Sequence, residues 1–170
     1  FGTTNDPTDR HAVIDLRTGA TVIELTEAED TGIQLIGANA EHIFYETSHY
    51  PGQNAVGTHS VVAVKPDGTQ VWTAPLADMS LCDFSESYIS CETYDPHTVT
   101  NIDVSTGAVL GTQAVAEGED FTMLSDGYAV SNLSAHTAEV FDLHGKPTGT
   151  VAQSVDAGNT NPAPLFSQAD

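Results

Sequence analysis

Two cysteines, seven histidines and 24 acidic residues are the side chains in this 170-residue chain that could carry chemistry. The cysteines give the sharpest local signal. Glu86-Ser87 reads as a two-residue hairpin turn. Counting outward sets Ser85 opposite Tyr88, Phe84 opposite Ile89, Asp83 opposite Ser90 and Cys82 opposite Cys91. Pairs in an antiparallel ladder alternate, and Cys82–Cys91 falls on a non-hydrogen-bonded position. Cα atoms there lie about 4.5 Å apart, within the range a disulfide spans. The expected chemistry is therefore a structural cross-strand bridge. A redox-active or metal-binding pair calls for CxxC spacing or flanking basic residues, and neither is present. A bridge implies an oxidising compartment, so the protein is expected to be exported, extracellular or at the cell surface.

The histidines pose a metal question. His11, His59, His97 and His136 each precede a strand-like run, four to six residues ahead of Asp15, Val64, Asp103 and Asp142. Acidic stretches at Glu27–Asp30, Asp78 and Glu117–Asp120 fall between other strand-like runs. Imidazole and carboxylate on one face could bind Zn²⁺ or another divalent ion. A residue that recurs once per structural unit is, however, a whole unit's width from its copies, too far for joint ligation. The expectation is that each His hydrogen-bonds the backbone of its own unit and that there is no metal site. The acidic stretches lack the D-x-[DN]-x-[DN]-G spacing of a Ca²⁺ loop and are expected to be solvated.

The longest irregular stretch runs from Thr47 to Thr58 and carries His49, Tyr50 and Asn54. These three are the candidate partner-binding residues, because long loops on a rigid scaffold are where contacts are made; the alternative is a tolerated surface insertion. There is no Gly-x-Ser-x-Gly elbow and no Gly-rich phosphate loop, so no catalytic residue and no cofactor is assigned.

Four basic residues against 24 acidic ones give a net charge of −20. Such a surface repels phosphate backbones and lacks the basic clusters of nucleic-acid binders, so nucleic acid is not an expected partner. The acidity fits solubility in an exposed or salty setting; recruitment of a cationic partner or Ca²⁺ is the other reading. Hydrophobic residues make up 39% of the chain, enough for a packed core. No run of about 18 apolar residues exists, so no membrane-spanning segment is expected.

These residues are positioned by a repeat. Four segments share a short strand, a tight turn ending in Gly and another strand: His11–Gly19, Ser60–Gly68, Thr100–Gly107 and Glu139–Gly145. The turn glycines, Gly19, Gly68, Gly107 and Gly145, are 49, 39 and 38 residues apart. A turn of this length usually needs one residue with φ > 0, which Gly supplies. Three of the hairpins follow a second, more apolar one, at Gly32–Tyr45, Ser80–Cys91 and Phe121–Val130. His42, Tyr88 and Tyr128 fall in the same place after its turn, and Asp126-Gly127 is a strong two-residue turn signal. The unit is four short strands, A to D, recurring about every 40 residues, which is the pattern of propeller blades.

The predicted fold is all-β, a partial β-propeller of about three and a half four-stranded antiparallel blades. Residues 11–25 form a half blade, 31–76, 79–115 and 120–153 full blades, and 161–170 the start of a further one. The insertion at 47–58 accounts for the 49-residue interval. Because a propeller closes on itself to bury its blade faces and edges, the chain is expected to be a fragment, or to be completed by a second chain.

The turn pattern resembles the PQQ-like repeat family, whose blades carry an Asp-x-x-Thr-Gly turn followed by a Trp on the next strand. Asp15-Leu-Arg-Thr-Gly19 and Asp103-Val-Ser-Thr-Gly107 match the turn, and Gly68-Thr-Gln-Val-Trp72 matches the turn-to-Trp spacing. Ile23, Gly111 and Gly149 stand where the other blades would carry the Trp. The family includes quinoprotein dehydrogenases and cofactor-free scaffold propellers such as outer-membrane assembly lipoproteins. The expected function is a non-enzymatic, exported scaffold or binding segment that acts on an unknown protein or small molecule through its loop-bearing face. The alternative is part of a PQQ-dependent sugar or alcohol oxidoreductase whose cofactor site lies in further blades; the vicinal cysteines expected of that class are absent.

Overall fold

The computed structural model describes residues 10–27, 31–50, 57–77, 80–94, 96–132 and 134–152. Strands β1 (Arg10–Ile14) and β2 (Thr21–Thr26) form a two-stranded sheet. β3 (Thr31–Ala38), β4 (Ile43–His49), β5 (Thr58–Val64) and β6 (Gln70–Leu76) form the first four-stranded antiparallel sheet. The second contains β7 (Ser80–Phe84), β8 (Tyr88–Tyr94), β9 (His97–Asp103) and β10 (Val109–Ala114). The third contains β11 (Glu119–Met123), β12 (Gly127–Asn132), β13 (Thr137–Asp142) and β14 (Pro147–Ala152). Each sheet is a simple meander, and the described residues contain no helix. The fold is all-β, a partial propeller of one half blade (blade 1) and three full ones (blades 2 to 4). The segment read as a further blade, 161–170, lies outside the described residues.

Two neighbours cover each inner blade, which explains its composition. Val61-Val62-Ala63-Val64 of β5 is buried at every position, where a one-sided sheet would alternate. Val62, Val64 and Ile43 pack against Val13, Val22 and Ile23 of blade 1. Val61, Ala63, Phe44 and Trp72 face the other way and join Ile89, Cys91, Ile102 and Val104 of blade 3 in the largest core cluster. A third cluster links Val99 and Val115 of blade 3 to Tyr128, Val130 and Phe141 of blade 4.

The C–D turns are built by carboxylates. Asp103 Oδ1 accepts the backbone N–H groups of Ser105 (2.9 Å) and Thr106 (2.8 Å), and Asp142 Oδ1 those of His144 (3.0 Å) and Lys146 (2.9 Å). These bonds favour the ionised carboxylate and hold Asp142 below its usual pKa. The closing glycines have φ of +70° at Gly19, +84° at Gly68, +72° at Gly107 and +79° at Gly145, as their turns require.

These turns also hold the blades in register. Trp72, four residues after Gly68, lies against Gly107 of the next blade and donates its indole N–H to Val104 O at 3.1 Å. Ile23 meets Gly68 in the equivalent way. Gly111 stands in the same place in blade 3, and the backbone of His144 moves into the space.

The A–B turns correct two expectations. Their closing bonds run Asn39 N to His42 O, Ser85 N to Tyr88 O and Leu124 N to Gly127 O. The equivalent of His42 and Tyr88 is therefore Gly127, with Tyr128 one residue further on. Gly127 is not a left-handed turn residue. It opens β12, where a Cβ would stand 2.1 Å from Phe141 O, so close strand approach explains it. Tyr88 uses this seam. Its fully buried ring carries its hydroxyl to the Leu124 and Gly127 carbonyls of blade 4, and burial pushes its pKa up to about 12.

Candidate functional site

The B–C and D–A connections lie at one end of the blades, which we call the loop-bearing face; the A–B and C–D turns lie at the other. Carboxylates occur at both ends, with Asp15, Glu41, Asp67, Glu86, Asp103, Asp126 and Asp142 in the turns, but the basic residues are unevenly placed. Of the chain's four Lys and Arg residues, Arg17, Lys65 and Lys146 sit in or beside C–D turns, at the opposite end. The fourth, Arg10, opens β1 in blade 1, 4.0 Å from Glu24. Blades 2 to 4 therefore present no Lys or Arg at the loop-bearing face, where Glu92, Glu117, Glu119 and Asp120 stand in or near the connections.

Carboxylates here do specific work. His11 Nε2 lies 3.1 Å from Glu27 Oε1, and the same oxygen accepts Ile33 N–H of blade 2 at 2.8 Å. One seam further on, His59 Nδ1 lies 3.5 Å from Glu46 Oε1, which also takes Ser80 N–H of blade 3 at 3.3 Å. Ser80 Oγ donates to Glu46 Oε2 at 3.3 Å. The two seams share one device, a carboxylate that ties the strand-C histidine to the first strand of the next blade. For His11 the partner is a carboxylate in place of the expected backbone carbonyl, and an imidazole N–H bonds it more strongly than a neutral carbonyl. His97 follows suit, with Nε2 2.6 Å from Glu92 Oε1. His136 keeps the sequence register of His97 but adopts φ 53° in the turn before β13.

The Glu46, His59 and Ser80 cluster contains the residue types of a hydrolytic triad without its geometry. In such a triad the imidazole stands between hydroxyl and carboxylate. Here the carboxylate stands between the other two. Glu46, His59 and Ser80 are 4%, 4% and 3% exposed, which leaves a substrate no approach. Burial raises the Glu46 pKa against the opposing pull of the Ser80 and His59 bonds. The arrangement is a buried polar tie. No group of three or more His, Cys, Asp or Glu that could hold a metal ion occurs among the described residues.

The Cys82–Cys91 disulfide is present, with a Cα separation of 4.1 Å and the register counted from the turn. Cys91 is fully buried in the blade 2–3 core, and Ser80 Oγ lies 3.3 Å from Cys82 Sγ. Of the loop candidates, His49 ends β4 exposed and Tyr50 is 41% exposed, its ring set edge-on to His59 at 5.6 Å. A Cβ at Gly57 would stand 2.6 Å from the Tyr50 ring. Asn54 lies outside the described residues.

The seam between blades 3 and 4 differs. Among the described residues no carboxylate crosses it at the loop-bearing end, and Glu92 is taken by His97 and the Tyr94 hydroxyl (3.3 Å). A cleft of about 470 Å³ opens there, lined by Glu119, Glu139, Asn132 and Thr137 around Val130 and Phe141. Sequence reasoning did not find this cleft, nor Glu46. The signal for Glu46 was a carboxylate inside the apolar run Ile43-Phe-Tyr-Glu46, a buried charge that needs partners. The cleft depends on how two blades splay, and no motif encodes that.

No family model matches the chain, and no curated protein matches it. Among solved structures, the chain is similar to a protein of unknown function from Bacteroides caccae, at 14% identity and a TM-score of 0.44. The match covers 84% of this chain and 54% of that protein, so the chain spans about half its length.

Proposed function

We propose that this chain is a non-enzymatic binding segment of an exported propeller scaffold, and that a positively charged partner docks on its loop-bearing face beside His49 and Tyr50. The observation that carries this reading is the placement of the basic residues: the Lys residues of blades 2 to 4 stand in turns at the opposite end, which leaves the loop-bearing face of these blades acidic without any Lys or Arg to offset it. A face of one sign steers an oppositely charged partner and sets its orientation. Tyr50 adds an exposed, rigid aromatic contact, a residue type enriched where binding energy concentrates. Export is supported by the disulfide, since such bonds persist in oxidising compartments.

Hydrogen exchange with and without a Lys-rich 20-residue peptide tests the reading. The expected footprint covers the ends of β4, β5 and β8, weakens as salt shortens the Debye length from about 30 Å at 0.01 M to about 3 Å at 1 M, and is reduced by Tyr50→Ala. Protection at the Lys65 or Lys146 turns, or a footprint indifferent to Tyr50→Ala, would overturn it.

A further inference from the structure

We infer that the cleft between blades 3 and 4 binds an amino sugar, a small polyhydroxylated molecule carrying one ammonium group. The inference rests on the loop-bearing face being the binding face, and it adds a second, smaller site there. Its starting point is the break in the pattern of ties. At the two earlier seams a glutamate closes the loop-bearing end by bonding both blades. At this seam the end is open, and the cleft volume of about 470 Å³ lies within the roughly 300–1,000 Å³ of small-molecule sites.

The lining sets the chemistry. Among the described residues nothing pairs with the Glu139 carboxylate, and Glu119 spends one oxygen on Ala116 N–H at 3.0 Å. With no Lys or Arg in the lining, two carboxylates give the cleft a negative sign that favours a cationic ligand. Asn132 Oδ1 accepts Ala135 N–H at 2.9 Å, which leaves its amide hydrogens to donate. Together with the Thr137 hydroxyl, these are the donors and acceptors that sugar hydroxyls need. Phe141 and Val130, 7% and 8% exposed, form an apolar floor for the C–H face of a pyranose ring. On the blade 3 side the wall is formed by Gln113 and Ala114 of β10, and the Gln113 amide adds a further polar group at the mouth.

The test is an NMR titration at pH 6 and low salt with glucosamine, and with N-acetylglucosamine as the same skeleton without its charge. The expected result is saturable one-to-one binding, with shifts confined to β10, β11, β12 and β13. N-acetylglucosamine is expected to bind at least about fivefold more weakly, and Glu139→Gln to weaken glucosamine by a similar factor. Glu139 is exposed on β13, so this variant keeps the core intact. Absence of saturable binding, equal affinity for both sugars, or indifference to Glu139→Gln overturns the inference. Putrescine binding as tightly as glucosamine overturns its carbohydrate part. If glucosamine fails while the Lys-rich peptide still protects the rim of blade 2, this inference falls alone.

Discussion

Replacing Gly68, Gly107 and Gly145 one at a time would measure how much of the blade seam is held by ring packing. Gly68, Gly107 and Gly145 share a left-handed backbone, with φ of +84°, +72° and +79°, so Ala at each costs about 1–2 kcal/mol for conformation alone. The surroundings differ. A Cβ at Gly68 meets only Ile23 Cδ1 at 3.9 Å, ordinary contact, and at Gly145 the Tyr128 hydroxyl at 3.4 Å. At Gly107 it would stand 2.6 Å from Trp72 Cδ2 and 2.7 Å from Cε3. Those atoms belong to a rigid ring pinned by its bond to Val104 O, so either the indole moves and that bond is lost or the turn moves. Overpacking of this kind adds about 1–3 kcal/mol, and the lost bond about 1 kcal/mol. Gly107→Ala should therefore destabilise by about 3 kcal/mol or more, against about 1–2 kcal/mol for Gly68→Ala. Trp72 is the only tryptophan, so urea unfolding followed by its fluorescence reports directly from this seam. In a Trp72→Leu background read by circular dichroism, the cost of Gly107→Ala should fall to that of Gly68→Ala. Equal costs at Gly68 and Gly107 in the unmodified chain, or strict additivity in the double variant, would refute the packing argument.

Three further outcomes are expected. Cys82→Ser opens a bridge of sequence separation 9 and should lower stability by about 2–3 kcal/mol in thermal or urea unfolding, while leaving the Lys-rich peptide footprint in place. Tyr88→Phe strands the Leu124 carbonyl and should cost about 1–3 kcal/mol, seen as faster exchange of the β11–β12 amides. For Glu46 the sign follows from its raised pKa: the folded state holds the proton more tightly than the unfolded one. Its stabilising contribution is complete below the usual value of 4.5 and is lost as pH rises through the raised value. Urea midpoints of the wild type should fall across that interval relative to Glu46→Gln; parallel curves would rule out burial as the dominant influence on this group.

Much of the fold was legible because its signals are local. A turn that needs φ > 0 writes a glycine into the sequence, and four such glycines at near-regular spacing give the blade period. The Cys82–Cys91 register could be counted because a two-residue turn fixes every pair beyond it. Other features depend on partners distant in sequence. Asp126-Gly127 mimics a turn signal, yet Gly127 answers to the Phe141 carbonyl on the neighbouring strand. The carboxylates that meet the histidines come from just past strand D in blade 1 and from strand B in blades 2 and 3, so no fixed offset announces them. The Trp position of the repeat was visible, but its role emerged only from the contact with Gly107 in the following blade.

Several bonds that cross from blade to blade end on main-chain oxygens: Trp72 on Val104 O, Asn101 Nδ2 on Leu143 O at 3.4 Å, and His144 Nδ1 on Leu110 O at 3.0 Å. A peptide carbonyl is the same whatever residue carries it. Each module therefore reads the path of its neighbour and is indifferent to much of that neighbour's identity, so long as the path is kept. Sequence drift within one module is tolerated by the next, which is why copies as unlike as Ile23, Trp72 and Gly111 can occupy one station in a common architecture.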